Sequence, residues 1–286
     1  MHVLVNGVRL YFDVEGSGLV PDGATMRARP TLILLHGGPG FDHSHYKPAF
    51  SQLADVAQLV YLDHRGNGRS EHGPETLWTL KQWADDVRAF CDAVGIERPI
   101  VYGASFGGMV AMMYATRHPD HPAKLVLAST DAKGGSYAEA KVAMFERLGG
   151  PEAGALARRR FIDGETGPEL LADWLRIAFP LYTRTPQDPD MVARAIRNPR
   201  ATLSFNRPGG DARTFDLLPA LSRIRCPVLL LGGTLDPMTP IECQRAIAAA
   251  LPRDLLRYRE FDGCGHGVVG DAPAEAMAEI RAFIAT

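Results

Sequence analysis

Two kinds of hydrophobic pattern alternate along most of this chain. Short continuous apolar runs recur at Thr31–Leu35, Gln58–Leu62, Pro99–Gly103, Lys124–Ala128 and Pro227–Leu231, with a weaker one at Leu255–Tyr258. Runs without polar alternation fit strands buried on both faces, as in a parallel sheet covered by helices. Between them the spacing turns helical. From Leu80 to Val94 the apolar positions are Leu80, Trp83, Ala84, Val87 and Phe90, and a second helix continues from Met109 to Arg117 before Pro119 closes it. Ile241–Ala250 and Ala274–Ile284 read the same way. This alternation predicts an α/β fold with a doubly wound, mostly parallel sheet.

Two regions break the rhythm. At the start, Val3–Val5 and Val8–Phe12 flank Asn6-Gly7, a pair suited to a tight hairpin turn with positive φ, and residues 15–30 read as a Gly- and Pro-rich loop. Residues 134–215 carry no clear buried strand. They hold helical pieces, several prolines and the aromatics Phe145, Phe161, Trp174, Phe179, Tyr182 and Phe205. We expect a helical insertion at 134–215 set into a core of 1–133 and 216–286.

Composition narrows the class. A chain of 286 residues suits one large α/β domain with an insertion. The 31 basic and 33 acidic residues leave a net charge of −2 without a long basic block, which argues against nucleic acid or anionic membrane as partners. The short run Arg158-Arg159-Arg160 reads as a solvated helix face. Cys91, Cys226, Cys243 and Cys264 are widely spaced without a CxxC pattern, as expected of reduced thiols in packing positions. The start lacks the features of a signal peptide, and no apolar run reaches the ~18 residues of a membrane span. The expectation is a cytoplasmic protein, monomer or small homo-oligomer, acting on a small molecule.

The chemistry gathers where apolar runs end. Gly103-Ala104-Ser105-Phe106-Gly107 directly follows a predicted strand and precedes a predicted helix. A bare G-x-S-x-G is weak evidence, but this context is that of a nucleophile elbow, where small flanking residues let the backbone turn sharply and lift the serine hydroxyl. His36-Gly37-Gly38-Pro39-Gly40 follows an earlier strand. Acyl transfer needs amide donors aimed at a developing oxyanion, and in such a fold they come from the residue after the nucleophile and from an earlier strand–helix loop. Those positions are Phe106 and Gly38. His36 reads as a prop for its loop.

A serine nucleophile needs a base and an orienting acid, in the chain order Ser, Asp or Glu, His. Asp236 follows the run at 227–231, and His266 sits in Gly263-Cys264-Gly265-His266-Gly267 before the final helix. Both fall in loops past strand ends, where an open α/β sheet gathers its site. Asp262 and Asp211 are weaker acids for the role. Asp63–Ser70 reads as a tight, hydrogen-bonded loop. His43-Ser44-His45 lacks companions at metallohydrolase spacing, and no phosphate- or dinucleotide-binding glycine fingerprint is present, so neither metal nor organic cofactor is implied.

Taken together, HGGPG at 36–40, DHRGNGRS at 63–70, GASFGG at 103–108, GGTLDPMTP at 232–240 and GCGHG at 263–267 resemble the α/β-hydrolase superfamily, and within it the proline iminopeptidase-like branch. The resemblance implies an eight-stranded, mainly parallel sheet flanked by helices, with a helical cap after the sixth strand. It also implies a Ser105–Asp236–His266 triad and oxyanion donors at Gly38 and Phe106. Two positions depart from the aminopeptidase pattern: Phe106 stands where that branch typically has Trp, and His64 where it typically has Gln. That branch also uses acidic cap residues to hold the substrate's free amine, for which Glu139, Glu146, Glu165 and Glu169 are available here. Relatives with the same HGGPG loop cleave carboxylic esters and lactones, acyl-homoserine lactones among them. The expectation is therefore ester or lactone cleavage through an acyl-enzyme on Ser105, with prolyl aminopeptidase action as the alternative and a non-catalytic small-molecule receptor as a third reading. Phe41, Trp174, Phe179 and Met238 are the candidates for contact with the substrate. Dehalogenase and epoxide hydrolase chemistry on this fold uses an Asp nucleophile, which Ser105 disfavours.

Overall fold

The computed structural model describes residues 1–286. Its main sheet has eight strands: β1 (His2–Val5), β2 (Val8–Glu15), β5 (Thr31–Leu35), β6 (Gln58–Leu62), β7 (Ile100–Ala104), β8 (Lys124–Ala128), β9 (Val228–Gly233) and β10 (Leu256–Phe261). The spatial order is β1-β2-β6-β5-β7-β8-β9-β10. β2 runs antiparallel to both of its neighbours, and the strands from β6 across to β10 are mutually parallel. The apolar runs form the interior strands, as their pattern predicts: Leu32–Leu35 and Leu229–Leu231 are wholly buried.

Helices cover both faces. α1 (Leu80–Val94) and α2 (Phe106–Arg117) place Leu80, Trp83, Val87, Phe90, Val110 and Tyr114 in a cluster of 34 buried residues on one face. α8 (Ile241–Ala250) adds Ile247 to it. On the other face α9 (Val268–Asp271) and α10 (Pro273–Ala285) contribute Val268, Ile280 and Phe283 to a cluster of 22. α1 has clear stop and start signals. The Thr79 hydroxyl accepts from the Gln82 N–H, and Gly95 ends the helix in the left-handed region at φ 74°.

The first hairpin turns at Asn6 and Gly7, with φ of 46° and 79°. Residues 15–30 are not all loop. They contain a second, isolated hairpin, β3 (Leu19–Asp22) with β4 (Thr25–Ala28), turning at Gly23-Ala24 with Gly23 at φ 60°. Its strands are almost wholly exposed, so no buried face imposes the alternation that would reveal them.

Between β8 and β9 the chain is helical: α3 (Ala138–Phe161), α4 (Pro168–Asp173), α5 (Pro189–Arg194), α6 (Pro199–Asn206) and α7 (Asp211–Thr214). The path leaves and returns beside an antiparallel bridge between Lys133 and Asp216. Prolines open three of these helices at their first position, where a missing N–H does no harm. α3 kinks at Gly150-Pro151, where Gly150 takes φ 77°. α3, α4 and the turns of Trp174–Leu181 share a small cluster of eight buried residues, whereas Phe205 of α6 packs into the large cluster beneath. No helix is long and apolar enough to cross a membrane, and all four cysteines are buried and free.

Candidate active site

The strand registers align the carboxyl ends of β5, β7 and β8, with Leu35 opposite Gly103 and Ala104 opposite Ala128. Ser105 follows directly at φ 55°, ψ −122°, and α2 starts at the next residue. A non-glycine residue in that region costs about 1–3 kcal/mol and persists only where its surroundings enforce it. They do so here. The Ser105 N–H donates to the carbonyls of Ala128 and Ser129 at 3.0 and 3.1 Å, and its own carbonyl accepts from the Thr130 hydroxyl at 2.7 Å. A Cβ on Gly107 would collide with the Leu35 carbonyl, and one on Gly103 with the Gly107 carbonyl. The glycines of the motif are thus required by close backbone approach.

The loop after β5 lies against this turn: a Cβ on Gly37 would stand 3.6 Å from that of Ser105. Gly38 is exposed, at φ 121°, in a position where a side chain is strained. The loop is pinned from three sides. The Gly40 N–H donates to Asn67 Oδ1 at 2.6 Å, the Thr202 hydroxyl to the Pro39 carbonyl at 2.7 Å, and the Asn198 N–H to the Gly40 carbonyl at 2.9 Å. His36 is fully buried, with Nδ1 2.7 Å from the Gly37 carbonyl and Nε2 accepting from the His64 N–H at 3.1 Å. Burial holds its pKa below the usual histidine range, so it is a neutral prop. The ring of Phe106 turns into the core against Trp83 and Phe205, at 4.8 and 5.3 Å. Its N–H, at the first position of α2, has no intrahelical carbonyl to bind.

The two remaining loops meet across β9 and β10. Asp236 is completely buried, yet four donors converge on its carboxylate. Oδ1 accepts from the N–H groups of Met238 and Thr239 at 2.8 and 2.9 Å, Oδ2 accepts from the Thr239 hydroxyl at 2.7 Å, and His266 Nδ1 lies 2.8 Å from Oδ2. A buried carboxylate is sustained by such bonds. An Nδ1–H donated to Asp236 leaves Nε2 as the acceptor. The ring's hydrogen bonds all use Nδ1, the third reaching Thr239 Oγ1 at 3.4 Å, and none joins Nε2 to the Ser105 hydroxyl. Bonds of that kind often tighten only around a substrate. A Cβ on Gly233 would collide with the carbonyls of Cys264 and Gly265, so the Asp and His loops are pressed together.

Asp236 and His266 are therefore brought into contact, while Asp262 binds the Thr234 hydroxyl and Asp211 the Leu80 N–H. Phe41 and Phe179, both half-buried, stack at 6.0 Å, and Met238 packs against the eight-residue cluster. Trp174 lies elsewhere than its substrate-contact role requires. It is 2% exposed, wedged between Phe145 and Phe161 at 4.9 and 5.5 Å, and donates from Nε1 to the Tyr182 hydroxyl at 2.8 Å. It is a packing residue. His43 and His45 are tied into loop hydrogen bonds with Asp63 and the Asp42 carbonyl, and no group of three or more potential ligand side chains could hold a metal ion.

Two neighbours escaped the sequence reading. Thr239 holds Asp236 through both backbone and hydroxyl, and the spacing Asp236-x-x-Thr239 carries that signal. Tyr182 offers its carbonyl to the His266 N–H at 2.6 Å and its ring edge-on at 5.3 Å, and no local pattern announces that contact.

The order of elements agrees with the wider comparison. Residues 30–273 match the model of the alpha/beta hydrolase fold. The chain belongs to the alpha/beta hydrolase family. This hydrolase is 28% identical over 274 residues to a proline iminopeptidase of Lactobacillus helveticus, covering 90% of each chain. It is similar to the crystal structure of a proline iminopeptidase of Mycobacterium smegmatis at 25% identity and a TM-score of 0.80, over 99% of this chain and 97% of that one. An enzyme described as degrading N-acyl homoserine lactones, Est816, shares the fold at 22% identity and a TM-score of 0.68, over 99% and 100% of the two chains. The hydrolase thus resembles proline iminopeptidases, and an esterase and an enol-lactonase share its fold.

Proposed function

We propose that the protein is a serine hydrolase of carboxylic esters or lactones, working through an acyl-enzyme on Ser105. Ser105 is the nucleophile, His266 its base, and Asp236 the acid that holds the imidazole in the right tautomer and stabilises the imidazolium. The amides of Gly38 and Phe106 bind the oxyanion. Water, activated by the same histidine, then releases the acid. The segment 134–215 acts as the cap over a core of 1–133 and 216–286, with Phe41, Phe179 and Met238 at the substrate's approach.

The observation that carries the choice of substrate is the state of the cap's acids. An aminopeptidase needs a carboxylate that is both unpaired and shielded from water to hold the substrate's ammonium. Glu139 is exposed and paired with Arg158, and Glu165 is held by Arg159 through two bonds of 2.7 and 2.6 Å. Glu146 and Glu169 are exposed. The test is a parallel assay on p-nitrophenyl esters, acyl lactones and prolyl-naphthylamide. Turnover of esters or lactones with none of the naphthylamide is expected, and preferential release of naphthylamine would replace this reading with the peptidase.

A further inference from the structure

Two half-buried arginines of the helical segment pair with no carboxylate. Arg160, on α3, donates to Asn206 Oδ1 at 3.2 Å, and Arg213, on α7, donates to the Asn206 and Gly164 carbonyls, both at 3.1 Å. The two guanidiniums thus meet at one asparagine, and these bonds end on uncharged oxygens. Lys141 joins them. Its ammonium and the Arg160 guanidinium face the same ring, that of Phe161, at 5.4 and 5.5 Å. Lys141 is 7% exposed and has one acid, Asp131, at 3.5 Å, which also accepts from the Ser136 hydroxyl at 2.7 Å. All three cations line a cleft of about 100 Å³ between α3, α4, α6 and α7. Glu165, the acid in that lining, is taken by Arg159.

Charge then specifies what the cleft accepts. Three cations against Asp131 leave two positive charges uncompensated in a partly desolvated space, where unpaired charge is costly. Burial, and with it the charge of Arg213, hold the Arg160 pKa below its ordinary value, as expected where like charges crowd. A single carboxylate would offset half of that excess. A phosphate group carries about −1.5 to −2 near neutral pH and presents strong acceptor oxygens to several donors at once. Guanidinium forks match those oxygens, and a lysine serves them as a point charge. The volume holds several waters, which leaves room for such a group. Ser105 and His266 do not line the cleft, and Trp174 with Tyr182 stands between it and His266, so its ligand is not the ester cleaved at Ser105. We propose that this cleft binds a phosphate group, free or carried on a small molecule, at a site separate from the catalytic one. Lys141 and Arg160 on α3 and Arg213 on α7 hold it, so the bound anion braces the segment 134–215. The proposal does not rest on the reading of Ser105.

Calorimetry of the whole protein with inorganic phosphate and with phenyl phosphate tests it without any turnover, so its failure and that of the Ser105 reading are separate results. We expect saturable binding that Arg213→Gln and Lys141→Gln each weaken about tenfold or more. Binding should strengthen from pH 5.5 to 7.5 as the phosphate gains its second charge. Bound phosphate should raise the melting temperature and slow hydrogen exchange in α3 and α7 more than in the sheet. The two variants lie on different elements, and a melting curve of each shows which remains folded for the comparison. Tighter binding of phenyl phosphate places the group on a small molecule, and equal or tighter binding of inorganic phosphate makes the free ion the ligand. Adipate or chloride bound as tightly as phosphate overturns the assignment to phosphate. No binding at millimolar concentration, or binding that the folded variants retain in full, overturns the site.

Discussion

The sheet edge that carries Ser105 and the helices set above it are built on different principles. At the edge, backbone presses on backbone. Gly103, Gly107, Gly233 and Gly265 each stand where a Cβ would strike a carbonyl, and these contacts rest on clusters of 34 and 22 buried residues. In the segment 138–182 the packing is a cluster of eight, dominated by the aromatic stack of Phe145, Phe161 and Trp174. Reacting groups need placement within fractions of an ångström, which rigid, collision-limited geometry provides. The proposed cap would need adjustable walls to choose a substrate, and a small cluster with short helices supplies them.

The comparison makes predictions of decreasing size. Ser105→Ala should fold with an unchanged melting temperature and lose about 10⁴–10⁶ in kcat, measured on the best ester and by loss of phosphonate labelling. Full labelling of that variant would remove Ser105 from the mechanism. Asp236→Asn should lose about 10³–10⁴ in kcat, because the amide selects the wrong imidazole tautomer. A KM effect alone would show that Asp236 merely shapes the pocket. Phe145→Ala should cost about 3–5 kcal/mol of local stability. Hydrogen exchange should then quicken across 138–182 while β5, β7 and β8 keep their protection. Uniform loosening of sheet and helices would end the distinction between the two regions.

The last effect concerns acid. Burial lowers the pKa of His36 and His64, and lowers that of His45 to about 4. Their unfolded value is ~6.5. Below that pH the unfolded chain binds protons that the folded one refuses. The contribution is complete above pH ~6.5 and falls as the pH drops through the window toward the folded values, by up to about 1.4 kcal/mol per pH unit for each ring. Urea titrations from pH 7.5 to 4.5 should show this slope, and His45→Asn should flatten it. A slope left unchanged by that substitution would mean that His45 does not contribute.

Legibility followed the same divide. Continuous apolar runs locate the buried strands, because burial on both faces leaves one pattern, and glycines mark the backbone collisions around Ser105 and His266. The hairpin at 19–28 escaped because exposed strands carry no alternation. The run Arg158–Arg160 reads as one solvated face, but successive helix residues point about 100° apart. Arg158 is therefore exposed, whereas Arg160 turns inward over Trp174. Long-range pairings such as Tyr182 with His266, 84 positions apart by their numbers (266 − 182), leave no local trace at either end.

That last contact limits how modular the fold is. The His266 N–H is satisfied by the carbonyl of Tyr182, and Gly265 has no room for a side chain because the same carbonyl occupies it. The histidine loop is therefore completed by a piece of the helical segment above it. An engineer grafting the equivalent segment from a relative, to exchange one substrate range for another, would have to return an acceptor oxygen to that spot. A graft that matched the original helices and omitted it would leave His266 misplaced.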